Sequence, residues 1–128
     1  MQSKSLYIGI DFDGTCVHHA YPALGEPLEG AIEVLKRLQD AGHKLILYTM
    51  RSEERLVEAV EYLEEEGIKL YAVNENPSQK YWTKSPKIFC HLYIDDAALG
   101  VPLVRSGASR PYVDWDMVEE MLEEQGIL

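Results

Sequence analysis

Apolar positions alternate along this chain between short unbroken runs and stripes spaced every three or four residues. Leu6-Tyr7-Ile8-Gly9-Ile10 is a run of the first kind and predicts a strand buried on both faces of a parallel sheet. Leu28, Ala31, Ile32, Leu35 and Leu38 form a stripe and predict a helix that starts at Pro27 or Leu28 and stops at Gly42. Lys44 to Thr49 reads as a second strand. Ser52 then caps a helix whose first turn carries Glu53 and Glu54 and whose buried face is Leu56, Val57, Val60 and Leu63, ending at Gly67. Ile68 to Val73 predicts a third strand and His91 to Ile94 a fourth. The polar stretch 74–87, with Pro77 and Pro86, predicts a loop holding one short helix. Val101 to Val104 reads as a short fifth strand at the sheet edge, where Pro102 is tolerated. A last helix begins near Asp114 or Asp116, with Asp116 and Glu119 at capping-box spacing, and packs through Trp115, Val118, Met121 and Leu122.

Strands alternating with helices predict a three-layer, Rossmann-like α/β domain with a mainly parallel, five-stranded sheet, spanning 1–128 as one domain. In such sheets ligands bind beyond the carboxyl ends of the strands. Asp11, Asp13, Thr49, Asn74 and Asp95 all fall at that edge.

Composition narrows the field. With 46% hydrophobic residues among 128, the chain can bury a core, and its net charge of −10 argues against a broad nucleic-acid contact while favouring a cation. No apolar run reaches the roughly 18 residues of a membrane span, so no membrane partner is expected. Cys16 and Cys90 form neither a zinc pattern nor a disulfide framework, which points to a reducing cytoplasm.

The chemistry lies in the acids. Asp11 and Asp13 sit one strand period apart after the first run, Gly14 permits a sharp turn, and Asp95-Asp96 follows the fourth strand. Carboxylates brought this close repel unless a cation intervenes, and magnesium, a hard ion taking oxygen ligands beside phosphate, resolves the conflict most economically. Cys16, His18 and His19 are too compact for structural zinc, and Gly14 is misplaced for a calcium-binding loop. Paired acids beside a metal suit phosphoryl transfer: one attacks phosphorus, and the other protonates the leaving oxygen and then deprotonates water.

Asp11-Phe12-Asp13-Gly14-Thr15, Thr49 and Asp95-Asp96, in that order at strand ends, resemble the haloacid dehalogenase-like hydrolase superfamily over roughly residues 5–104. The resemblance implies that Asp11 is the nucleophile and a magnesium ligand. Asp13 would be the general acid/base and lend the metal its backbone carbonyl, and Thr49 would bond the phosphoryl oxygens. Asp95 would ligate the metal directly, with Asp96 behind it or as an alternate ligand. The family's lysine is expected at Lys87, ahead of Lys80 and Lys84. Many members carry a cap domain inserted after the first motif or after the third strand, but here 16–27 and 74–87 are too short to hold one. The likeness is therefore to capless, phosphatase-type members, with a flap at about 16–27. Their open site serves a large substrate or is covered by a second subunit of a homo-oligomer.

The implied activity is a magnesium-dependent phosphomonoester hydrolase acting on a phosphorylated small molecule or macromolecule. The alternatives are a non-catalytic phosphate- or partner-binding module of the same fold, and a phosphotransferase using the same aspartyl-phosphate scheme. Arg51 could reach a substrate oxyanion or pair on the surface with Glu54. His18 and His19 in the flap, Asn74 and Asn76 at the rim, and the aromatic Tyr21 and Trp82 are further candidates. His43 and His91 read as structural.

Overall fold

The computed structural model describes residues 4–106 and 110–128. Strands β1 (Tyr7–Ile10), β2 (Lys44–Leu47), β3 (Leu70–Val73) and β4 (Leu92–Ile94) form a parallel sheet in the order β3-β2-β1-β4. Helices α1 (Ala31–Asp40), α2 (Glu53–Glu65) and α3 (Trp115–Glu124) flank it.

Ile8, Ile10 and Phe12 alternate with Gly9 and Asp11 and pack in one core with Leu45, Leu47, Ile94 and the buried stripes of all three helices. The opposite face, that of Gly9, is covered by residues 74–91, which include the expected short helix as a 3-10 turn over Pro77–Tyr81. Side-chain amides hold this segment together: Gln79 donates to the carbonyls of Ser85 and Lys87 and accepts from Phe89 N–H, and Asn76 donates to Phe89 O. A Cβ on Gly9 would lie 3.0–3.2 Å from Cys90 Sγ, Tyr93 and Tyr48, so only glycine lets the segment come this close.

The sheet has four strands, which corrects the expected five. The residues read as a fifth strand become β5 (Leu103–Val104), paired antiparallel with β6 (Tyr112–Val113) in a separate two-stranded sheet. Gly100, at φ +94°, turns the chain, and Pro102 has no N–H to lend a ladder, while its carbonyl accepts from Asp114 N–H. This small sheet has a consequence for the site. Val113 N–H donates to Gly14 O and Trp115 Nε1 donates to Thr15 O at 2.6 Å, clamping the loop after β1 from outside the main sheet.

Helix boundaries shift for local reasons. Gly30, at φ +85°, delays α1 to Ala31. Ser52 holds the N-cap position of α2 but makes no side-chain cap bond. Asp114, not Asp116, caps α3, accepting from Met117 N–H at 3.2 Å. Cys16 and Cys90 are both free and buried. Among the described residues, no helix is long and apolar enough to cross a membrane.

Candidate metal centre

Asp11 continues the line of β1, donating its N–H to Ile94 O at 3.0 Å, and this carries its side chain to the strand end where Asp95 and Asp96 emerge from β4. Each of the three acids offers a carboxylate oxygen, and those oxygens lie within 4.8 Å of one another. Thr15 knits the group: its hydroxyl donates to Asp11 Oδ2 at 2.9 Å and accepts from Asp96 N–H at 3.1 Å. Tyr48, one residue beyond β2, donates its hydroxyl to Asp95 Oδ2 at 2.8 Å, while Asp95 Oδ1 accepts from Ala97 N–H. His19 Nε2 lies 3.1 Å from Asp96 Oδ2. Gly14, at φ +81°, leaves the space that His19 and Asp96 fill, for a Cβ there would collide with both.

The three acids also act on one another electrostatically. Burial, and then the negative charges of Asp95 and Asp96, push the Asp11 carboxyl up to about 8, with the Thr15 hydroxyl offsetting part of the rise. Burial and the bond to Asp95 raise the Tyr48 phenol, which keeps it a donor. Burial beside the site raises the Cys16 thiol, so it stays protonated, and its Sγ donates to Asp11 O at 3.4 Å. Three converging carboxylates, with the His19 imidazole resting on Asp96, fit a hard divalent ion.

Asp13 lies apart from this trio. Arg51 grips its carboxylate from both sides, Nε to Oδ2 and Nη2 to Oδ1, each at 2.8 Å. The Arg51 side chain is only 1% exposed against 20% for Asp13. Arg51 was read as an oxyanion contact or a surface pair to Glu54; the structure makes it a buried partner of Asp13. Thr49 accepts from Arg51 N–H through its hydroxyl at 3.2 Å and donates its own N–H to Asn74 Oδ1 at 2.8 Å. Asn74, held at φ +54°, thus steadies Thr49 from the end of β3.

Lys87 lines a cavity of about 440 Å³ with Tyr48, Pro86, Ile88 and Tyr93, and the same Tyr48 bonds Asp95. Lys80 and Lys84 line a different cavity, beside Asn74 and Asn76. His18 turns away and packs edge-on against Tyr112 at 4.6 Å, so of the two flap histidines it is His19 that meets the acids. His43 and His91 accept backbone N–H groups of Leu6 and Tyr7, and Trp82 packs against Phe89.

The sequence does not single out Thr15 or Tyr48, and it marks His19 only as one of two flap histidines. Thr15 was hidden inside its own motif. Tyr48 could have been found by parity, since the register Ile10 with Leu47 and Ile94 places it on the face of Asp11 and Asp95.

A solved structure, that of a conserved protein coded by a locus from Bacteroides thetaiotaomicron, is 37% identical to this chain, with a TM-score of 0.79, over 95% of this chain and 93% of that one. The chain belongs to the family of that Bacteroides protein. No protein-family model and no curated protein matches it.

Proposed function

We propose that this protein is a magnesium-dependent phosphomonoester hydrolase of the haloacid dehalogenase-like type, working through an aspartyl-phosphate. The observation that carries the reading is the convergence of the half-buried Asp11, Asp95 and Asp96 at the carboxyl edge of the parallel sheet, where the charge of Asp11 is disfavoured. Asp11, Asp95 and Asp96 would hold the metal, which supplies charge neutralisation for an approaching phosphate. A carboxylate oxygen of Asp11 then attacks phosphorus and the bond to the leaving oxygen breaks, that oxygen taking a proton from Asp13. Water next attacks phosphorus of the aspartyl-phosphate and gives its proton to Asp13 as the Asp11 O–P bond breaks, releasing inorganic phosphate and returning both acids to their starting forms. Thr49, steadied by Asn74, stands at the edge where its hydroxyl can meet a phosphoryl oxygen. Of the three candidate lysines, Lys87 is the one that shares a cavity with Tyr48, the partner of Asp95, and it would offset charge on the phosphoryl group.

Phosphate release from a panel of sugar phosphates, nucleotides and aryl phosphates, with magnesium and with chelator, tests the proposal. Turnover is expected only with metal and is lost in Asp11→Asn. Turnover that persists in that variant would overturn the mechanism.

A second reading has an observation of its own. Both carboxylate oxygens of Asp13 accept from Arg51, an arrangement suited to a module that binds a phosphorylated ligand without turning it over. Metal-dependent ligand binding with no phosphate release across the panel would favour it.

A further inference from the structure

Arg51 has five N–H groups on its guanidinium, and each has an acceptor. Nε and one Nη2 hydrogen go to Asp13. The other Nη2 hydrogen goes to Ala23 O at 2.8 Å, and Nη1 reaches Pro22 O at 3.2 Å and Arg55 O at 3.5 Å. The rings of Phe12 and Tyr21 lie 5.2 and 5.1 Å from its central carbon. No donor is left for a substrate. One buried cation instead holds the acid two residues past Asp11, two carbonyls of the flap and the first turn of α2.

We infer that Arg51 is a positioning residue that couples the flap to Asp13, so that the Asp13 side chain is freed to turn toward a leaving group only when residues 20–26 shift. The physics is that of a shared buried charge. If the flap lifts, Pro22 O and Ala23 O leave a guanidinium that water does not reach, and unmatched donors there are costly. The guanidinium must then follow the flap or find new acceptors, and in either case its two-pronged hold on Asp13 changes. His18 N–H to Glu26 O ties the flap at its base, and Ala23 N–H to Ala20 O closes a turn within it. Asp13 is more exposed than its partner. This device would give an open site a means of holding its acid back until something large has displaced the flap. The inference rests on the hydrolase reading for the role of Asp13, but the coupling itself does not.

Two measurements test it. Amide hydrogen exchange in the flap is expected to quicken about tenfold at His18 and Ala23 in both Arg51→Lys and Asp13→Asn, and not in Asp11→Asn, since only the first two break the forked contact. Unchanged flap exchange in Asp13→Asn, a near-isosteric change, overturns the coupling whether or not Arg51→Lys folds well. The second measurement is the leaving-group dependence of turnover. Arg51→Lys, which loosens the hold on Asp13, is expected to raise turnover of a small alkyl phosphate, which needs its leaving oxygen protonated, about tenfold, and to change that of p-nitrophenyl phosphate, which does not, by less than about threefold. Any loss on the alkyl phosphate, or an equal change on both, the mark of a merely structural arginine, overturns the positioning role. Turnover that survives in Asp11→Asn counts against the hydrolase reading alone, and the exchange result stands independently of it.

Discussion

Thr15 holds two of the three clustered acids through a single hydroxyl, donating to Asp11 and accepting from the Asp96 amide, while its carbonyl receives Trp115 Nε1. Thr15→Val keeps the volume and removes the hydroxyl, so a partly buried amide and a buried carboxyl both lose a partner. A stability loss of about 1–3 kcal/mol is expected in urea unfolding. Tyr48→Phe is the milder counterpart. It should fold normally, since the ring packing against Tyr93 at 5.7 Å is kept, yet weaken divalent-ion affinity about tenfold by freeing Asp95 Oδ2. Isothermal titration with magnesium measures it. At this scale the sequence showed which residues were acids and which lay at strand ends. It did not show that Asp13 would face Arg51 while Asp96 joined Asp11, because side chains one strand period apart can be drawn to different partners once the backbone bends. The bend is the turn at Gly14, where N–H groups of Thr15, Cys16 and Val17 all converge on Phe12 O.

Elements decide how tightly the site is closed from behind. β1 and the segment 74–91 meet at Gly9, and Gly9→Val would drive methyl groups into Cys90, Tyr93 and Tyr48. A loss of about 1–3 kcal/mol is expected by thermal denaturation, together with weakened metal binding as Tyr48 is displaced. The same segment carries the three candidate lysines. Alanine at Lys87 is expected to cut kcat/KM for phosphate release by more than about tenfold, while Lys80→Ala and Lys84→Ala leave it nearly unchanged, as steady-state kinetics would show. The rhythm of apolar runs was a sound guide to all four parallel strands and three helices, because burial on both faces or on one stripe leaves a direct mark on sequence. It misplaced the fifth strand because a run of Val and Leu says only that a segment is buried, and not which edge will receive it.

For the molecule as a whole, acidity and metal dependence meet in one titration. Asp11 is raised from the ordinary carboxylate value to about 8 in the fold, so between those limits the folded state holds a proton that the unfolded state has released. The contribution of Asp11 to stability in chelator is therefore expected to be fully present below the ordinary Asp value and to be lost as pH rises toward about 8. Magnesium is expected to offset the loss at the upper end, where ionised Asp11 can hold it, and Asp11→Asn to flatten the slope. Melting temperatures across that range, with and without the ion, check all three outcomes. The sequence by itself determined the parallel α/β scaffold and the presence of acids at the ends of two strands, since periodicity and strand-end position are local properties. Only the tertiary structure decided the membership of the acid cluster, the four-stranded sheet with its separate hairpin, the burial of Arg51 against Asp13 and the flap, and the lysine that shares a cavity with Tyr48. Those depend on which distant segments come to lie together, and hydrogen-bond demand in a buried space, not any local preference of the chain, selects among them.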